Sequence, residues 1–537
     1  MPSETQANNQ AKSQADNQTP ILVGAGQAID RPRTLKEACA PIDLLLKAAR
    51  GALKDTGAAQ RVMGELDAVA GLRFISDSPE ARALPFAKYP NPGLSIARAL
   101  GIEVRDSFYF PSGGNTPQAA VNFLAEQIAE GACRAVLLVG GECWGSVMRA
   151  LAEGPPYPNW NDDPQGPKTL IGEEKPGTSP TEYAHGFLHP VNTYPLLENA
   201  WRGQAGRTMA AHQKALGALM APFSKVAAQH KLAWFPTARS ADEISTPSVA
   251  NRWVGFPYTK YMNAVMKINQ AGAVILTSVG AARAMGIDES QWVYLHGCAE
   301  ANEIWHVSER PQLHRSQAIA RMGERALAMA GWRMEEMEYL DIYSCFPIAV
   351  EVACKELGLA LDDARGLTVT GGLPYFGGAG NAYTLMALVT MMAKLRARPG
   401  SKGLLTGNGW YLTKHAMGLY STAPTHGRWE REPPRRLQAE LDRLPRCRVL
   451  ERPEGEAVID TYTIVHLPNK TRLGIVIGRM AANGSADSAD DESAERFVAH
   501  LPAEEELLTA MMKDDYLGRR GIVRPQAKGR NLFVPQV

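Results

Sequence analysis

The sequence predicts an α/β protein made of a duplicated sheet-and-helix unit, followed by a small β-barrel. Three observations predict it. A glycine turn, an apolar-periodic helix and a buried strand follow one another over residues 113–139; the same landmarks return downstream; and short apolar strands separated by turn signals fill the last hundred residues.

The Gln/Asn/Ser-rich start, residues 1–19, lacks apolar periodicity and predicts a disordered tail. Order begins at Ile21–Gly24. Pro41-Ile42-Asp43-Leu44-Leu45-Leu46 opens a helical apolar pattern that Gly57 stops, and Leu66–Leu72 reads as a buried strand. After the turn Gly113-Gly114-Asn115-Thr116, a helix is expected from Pro117 to about Glu130, feeding the strand Ala135–Val139. Ala52-Leu53, Gly57 and Leu66-Asp67 match Ala326-Leu327, Gly331 and Leu340-Asp341. Asn115, Gly141 and Trp144 match Asn381, Gly407 and Trp410. Two matches in the same order at nearly equal spacing indicate a duplicated domain packed face to face.

Between the halves, Val147–Tyr261 is rich in Pro, Trp, Tyr and His and reads as an insertion over a site, not as sheet. A second break lies at Thr422–Arg436. Beyond it, Ala457–Val465, Leu473–Met480, Arg496–Leu501 and Gly521–Arg524 read as strands of a barrel, with a short helix around Glu504–Met512 and a loose loop at Ala481–Glu495. The resulting domains are a tail over 1–19, a first half over 20–290 with an inserted loop domain at about 147–261, a second half over 291–425, and a barrel over 437–537.

Composition narrows the partners. The 537 residues are 45% hydrophobic and 21% charged, enough to bury several cores. The net charge is +1 and no stretch clusters Lys/Arg, so neither nucleic acid nor a membrane surface is expected as a partner. The longest apolar runs, Ala135–Gly141 and Ala271–Gly280, are far below the roughly 18 residues of a bilayer span. Residues 1–19 have no signal-peptide pattern, which points to the cytoplasm and to seven reduced cysteines. Those cysteines contain no Cys-x-x-Cys, so no metal is expected.

Asn251–Lys260 with Asn269-Gln270-Ala271-Gly272-Ala273, Gly371–Gly378, and Tyr411-Leu412-Thr413-Lys414-His415 together resemble the thiolase superfamily. They are most similar to sterol-carrier-type thiolases and thiolase-like proteins of type 1 with an additional C-terminal domain, over nearly everything after the tail. The resemblance implies a five-layer αβαβα fold with an inserted loop domain and a final OB-like barrel. It also implies a coenzyme A thioester as substrate, no covalently bound cofactor, and a homodimer or a monomer.

Thiolases place a nucleophilic cysteine at a helix N-terminus, where backbone donors lower its pKa and bind the acyl oxyanion. The resemblance puts that cysteine at Gly114, its activating histidine at Gly378, and the second cysteine at Gly407, with Thr406 as a neighbouring alternative. All three groups are missing. The fourth motif reads Tyr343-Ser344-Cys345-Phe346. Relatives that break carbon–carbon bonds carry tyrosine at its first position, so Tyr343 is a candidate acid/base or oxyanion donor, and Cys345 a candidate for proton exchange at the substrate α-carbon. Packing explains a Cys and Phe after a buried strand equally well. Gly114 with Asn115, Gly378, and Gly407 with Asn408 are candidate oxyanion-binding turns, though each is also an ordinary turn. His415 is a candidate pocket residue; His185 and His189, in the insertion, are weaker ones. Three functions fit these residues: an acyl-CoA-handling transferase of the acetyl-CoA acetyltransferase kind, a retro-aldol lyase of a β-hydroxyacyl-CoA using Tyr343, and an acyl-CoA-binding protein without catalysis.

Overall fold

Two runs of strands with one shared order form the body of the molecule. The computed structural model describes residues 17–78, 84–425, 427–481 and 494–536. In the first run, β2 (Ala68–Leu72) lies parallel to β4 (Ala135–Glu142), followed by antiparallel β8 (Gln270–Ser278) and β1 (Pro20–Ile29). In the second, β10 (Tyr339–Asp341) lies parallel to β11 (Lys402–Gly409), followed by antiparallel β12 (Lys414–Ser421) and β9 (Val293–Asn302). The duplication read from Asn115/Asn381 and Gly141/Gly407 is therefore real. β3 (Asp106–Phe110) and β5 (Thr169–Leu170) extend the first run, and a short β1–β9 pairing joins both runs into one ten-stranded sheet.

Helices Thr116–Ala129 and Tyr383–Ala397 pack on each other and on strands of both runs, forming the central layer. Pro41–Asp55 covers the outer face of the first run, and Gln317–Ala330 that of the second. Leu44, Leu45, Ala48, Ala49, Ala52 and Leu53 are buried at helical spacing. The helix lies so close to β1 that a Cβ on Gly26 would stand 2.1 Å from the Ala48 carbonyl oxygen. These layers give the expected αβαβα arrangement.

The barrel closes in the order β14 (Arg472–Met480), β15 (Arg496–His500), β17 (Asn531–Pro535), β16 (Arg520–Pro525), β13 (Gly455–His466) and back to β14. From the insertion, β6 (Trp253–Gly255) pairs antiparallel with β13 and carries the short β7 (Tyr258–Thr259) beside it. β15 and β17 run parallel, and helix Glu505–Ala510 lies between the third and fourth barrel strands in sequence, an OB-type topology. Sequence reading did not register β17; its short Asn-Leu-Phe-Val-Pro run alternates buried and exposed and ends on proline. Most of the loop expected at Ala481–Glu495 and residues 1–16 of the expected tail lie outside the described residues. Thr19, placed in that tail, is buried, and its carbonyl accepts from Val279 N at 3.0 Å.

The insertion is helical where a loop was expected: Pro190–Gln204 and Met209–Gln229 are its main elements. Pro195 and Pro222 sit inside these helices, and the first buries Asn192, Thr193, Glu198, Asn199 and Arg202, so no apolar stripe marks it. That polar face is how the barrel docks. Asn199 Nδ2 donates to the Tyr462 carbonyl at 2.7 Å, Thr461 Oγ1 to the Leu196 carbonyl at 2.5 Å, and Arg202 forks onto Asp515 at 2.7 and 3.0 Å. Arg202→Leu is expected to destabilise the chain by about 1.5–3 kcal/mol, because buried acceptors and the carboxylate lose a charged donor. Urea unfolding checks this, with a smaller loss expected for Asp515→Asn, whose side chain is half exposed.

Candidate active site

The two glycine turns meet at the centre of the molecule and close on each other. Gly113-Gly114-Asn115 leads into the first central helix, and Gly407-Asn408-Gly409 ends β11. A Cβ on Gly407 would stand 2.8 Å from Asn115 Cα, and one on Gly409 2.5 Å from Asn115 Oδ1. The second half holds the first turn: Thr384 Oγ1 donates to the Gly114 carbonyl and Asn381 Oδ1 accepts from Gly113 N, both at 2.8 Å.

Tyr343 enters at this point. A Cβ on Gly114 would lie 2.1 Å from the Tyr343 hydroxyl oxygen and 2.5 Å from the Asn408 carbonyl oxygen. The phenol thus occupies the space that a side chain at position 114 would need. Its backbone N–H donates to Thr406 Oγ1 at 2.9 Å, which gives Thr406 a positioning part, and its ring meets Tyr383 edge-on at 5.6 Å. Among the described residues its hydroxyl has no hydrogen-bond partner, and it is not one of the fully enclosed polar atoms. Burial raises its pKa well above that of a free tyrosine, so the phenol is neutral.

Cys345 and Asn408 belong to the same constellation. Asn408 Nδ2 donates to Tyr194 Oη at 2.9 Å and lies 3.7 Å from Cys345 Sγ. Burial pushes the Cys345 thiol up to about 12, so it is a protonated thiol and not a thiolate. Gly378 is placed differently from Gly114. Its N–H donates to the Val265 carbonyl, and the neighbouring Ala264 N–H donates to the Cys345 carbonyl, both at 2.9 Å, so this loop backs Cys345. His415 is buried and burial lowers it to about 3; it is a neutral ring with Nε2 unpartnered among the described residues. His185 is structural: Nδ1 meets the Thr181 carbonyl at 2.7 Å and Nε2 accepts from Asn531 N in the barrel at 2.9 Å. His189 precedes helix Pro190–Gln204 without capping it.

Two site residues escaped sequence reading. Tyr194, from the insertion, stacks on Phe346 at 4.3 Å and donates to the Trp410 carbonyl at 2.8 Å, tying the Tyr343–Phe346 segment to the second turn. Nothing in its own helix's pattern singles it out. Lys414 stood inside a quoted motif, but sequence could not show its burial. Its Nζ donates to the Ser112 carbonyl at 3.0 Å, a Cβ on Gly113 would come within 3.1 Å of it, and no carboxylate is in ion-pair range among the described residues. Burial lowers it to about 8. Trp410 and Leu412 both hold φ 54°, left-handed backbone that side chains seldom adopt. A cleft lined by Arg73, Pro111, Ser112, Glu174, Lys175 and Trp410 reaches the residues flanking the two turns.

The crystal structure of a monomeric SCP2-thiolase-like protein type 1 from Mycobacterium smegmatis is similar to this chain at 31% identity and a TM-score of 0.80, covering 97% of this chain and 99% of that one. The chain belongs to the SCP2-thiolase-like protein type 1 family. The thiolase-like protein type 1 additional C-terminal domain matches residues 436–528, and the thiolase C-terminal domain-like family matches residues 299–384. An Ltp2–ChsH2(DUF35) aldolase, 14% identical at a TM-score of 0.56, covers 76% of this chain and 98% of that one. An acetyl-CoA acetyltransferase from Syntrophomonas wolfei, 16% identical at 0.53, covers 75% and 99%. These two share the fold. No curated protein matches the chain. No described helix is long and apolar enough to cross a membrane.

Proposed function

We propose that this SCP2-thiolase-like protein binds an acyl-CoA thioester and cleaves a carbon–carbon bond in its β-hydroxyacyl chain. One observation carries the reading: the unpartnered Tyr343 hydroxyl stands 2.1 Å from where a Cβ on Gly114 would lie, the position that the resemblance gives to the thiolase nucleophile. Acyl transfer by the standard route has no atom at Gly114 on which to form an acyl-enzyme. Retro-aldol chemistry needs none. Of the two parts open to Tyr343, acid/base or oxyanion donor, a phenol kept neutral by burial is better suited to donate to the thioester oxygen, where charge develops as the Cα–Cβ bond breaks. Lys414, lowered to about 8, then takes the β-hydroxyl proton. The bonding pair becomes the thioester enolate, and Cys345 returns a proton to the α-carbon; ketone or aldehyde leaves with the shortened thioester. The barrel docked on the insertion of the same chain suits a monomer, and the mycobacterial relative is described as monomeric.

Release of ketone or aldehyde from β-hydroxyacyl-CoAs tests this. Tyr343→Phe is expected to lower kcat by about 10²–10³-fold, the scale of one lost oxyanion donor, and the rate should rise with pH through about 8 as Lys414 loses its proton. Equal turnover by Tyr343→Phe overturns the mechanism. Calorimetric binding of acyl-CoA without turnover leaves a binding protein, and no heat of binding removes both readings.

A further inference from the structure

Behind Phe346, three buried side chains from three helices converge without the partners their polarity requires. Glu198 comes from Pro190–Gln204, His212 from Met209–Gln229, and Glu351 from Pro347–Leu357, the helix that follows the Tyr343–Phe346 segment. One ligand atom from each lies within 4.8 Å of the others, and none of the three residues is more than 1% exposed. Glu198 Oε1, Glu351 Oε2 and both ring nitrogens of His212 have no hydrogen-bond partner among the described residues. His212 Nε2 is 2.9 Å from Glu198 Oε1, yet the pair lacks hydrogen-bond geometry. Two atoms that close and not aimed at each other are arranged as neighbouring ligands of a shared centre are.

We propose that Glu198, His212 and Glu351 bind a divalent first-row transition cation of the zinc class. One imidazole with two carboxylates suits such ions and not calcium or magnesium, which take oxygen ligands. Tyr258 Oη donates to Glu198 Oε2 at 2.6 Å and accepts from Ile348 N at 3.4 Å, the outer partner that orients a ligating carboxylate. Arg207 Nη1, 3.5 Å from Glu351 Oε1, is the remaining charge at the cluster; with both carboxylates ionised, it leaves one negative charge that a cation offsets. The competing arrangement is one proton shared between the carboxyls. The Tyr258 ring also lies against Phe346 at 5.6 Å, so the ion pins both insertion helices to the element carrying Tyr343 and Cys345. Sequence reading sought cysteine pairs, whereas these ligands are far apart in the chain and contain no thiol.

The test uses the full chain, treated with chelator, dialysed and titrated with CoCl2. One equivalent should bind, with weak visible bands and no thiolate charge-transfer band, and ZnCl2 should displace it and raise Tm. His212→Gln and Glu351→Gln, each shown folded by circular dichroism, should abolish the bands, and Tyr258→Phe should weaken binding about 10-fold. No uptake by the wild type, a thiolate band, or unchanged uptake by both ligand variants overturns the site in favour of the shared proton. None of these readouts depends on acyl-CoA, so the site and the lyase stand or fall separately.

Discussion

Gly114→Cys is expected to destabilise the chain by about 3 kcal/mol, the upper end for overpacking a full interior, and to yield a thiol that iodoacetamide does not label. The new Cβ meets the Tyr343 hydroxyl at 2.1 Å and the Asn408 carbonyl at 2.5 Å, and only the first neighbour belongs to a side chain. Tyr343→Ala alone should cost about 3–5 kcal/mol through the cavity it opens. The double variant should fall short of the sum by about 1–3 kcal/mol; rescue stays partial because Asn408 contributes backbone. Urea unfolding of the three variants gives the coupling. A Gly114→Cys protein as stable as the wild type, with a reactive thiol, would mean that the phenol does not hold this place. Position 407 is closed to a side chain as well, since a Cβ on Gly407 would abut Asn115 Cα. Gly114 and Gly407 thus belong to one packed arrangement, in which a side chain on either glycine would collide with the facing turn.

Much of this fold was legible because it follows from local pattern. Ala135–Glu142 and Lys402–Gly409 are buried runs after apolar helices, and the letters they share mark strands at equivalent places in the sheet. Tyr343 beside Gly114 was legible through resemblance, since it needs only the two motifs to meet. What stayed hidden depends on tertiary contact. Helix Pro190–Gln204 buries Glu198, Asn199 and Arg202 against the barrel and the second half, so its polarity mimics an exposed loop until the partners are known. Tyr194 and Lys414 are ordinary letters in sequence, and only the folded chain sets them beside the two turns. The glycines at 114 and 407 were legible as turns, but not the closed space between those turns.

Stability should fall by about 2 kcal/mol more in the wild type than in Glu142→Gln between pH 6.5 and 8. Glu142 ends β4; Oε2 accepts from Ile75 N at 2.8 Å and lies where a Cβ on Gly380 would come within 2.8 Å, so its carboxyl bridges to the Gly371–Gly380 loop. Burial pushes it up to about 8 from an ordinary 4.5, against the two backbone donors that pull it down. Over that interval the folded chain keeps the proton and the unfolded chain has released it, so rising pH favours unfolding; the stabilisation is whole below 4.5 and gone above about 8. His415, lowered by burial to about 3, acts oppositely: its unfolded form gains a proton below 6.5, so acid weakens the fold there and masks Glu142. Above 6.5 that histidine turns neutral in the unfolded chain as it already is in the folded one, and alike in both proteins. At about 1.4 kcal/mol per pH unit, the remaining interval up to about 8 gives the stated difference. Other buried carboxyls raised by desolvation, Glu300 among them, slope the same way in both proteins, which is why the variant is measured against the wild type. Parallel urea-midpoint curves for the two across this interval would show that the Glu142 carboxyl is ionised in the native chain.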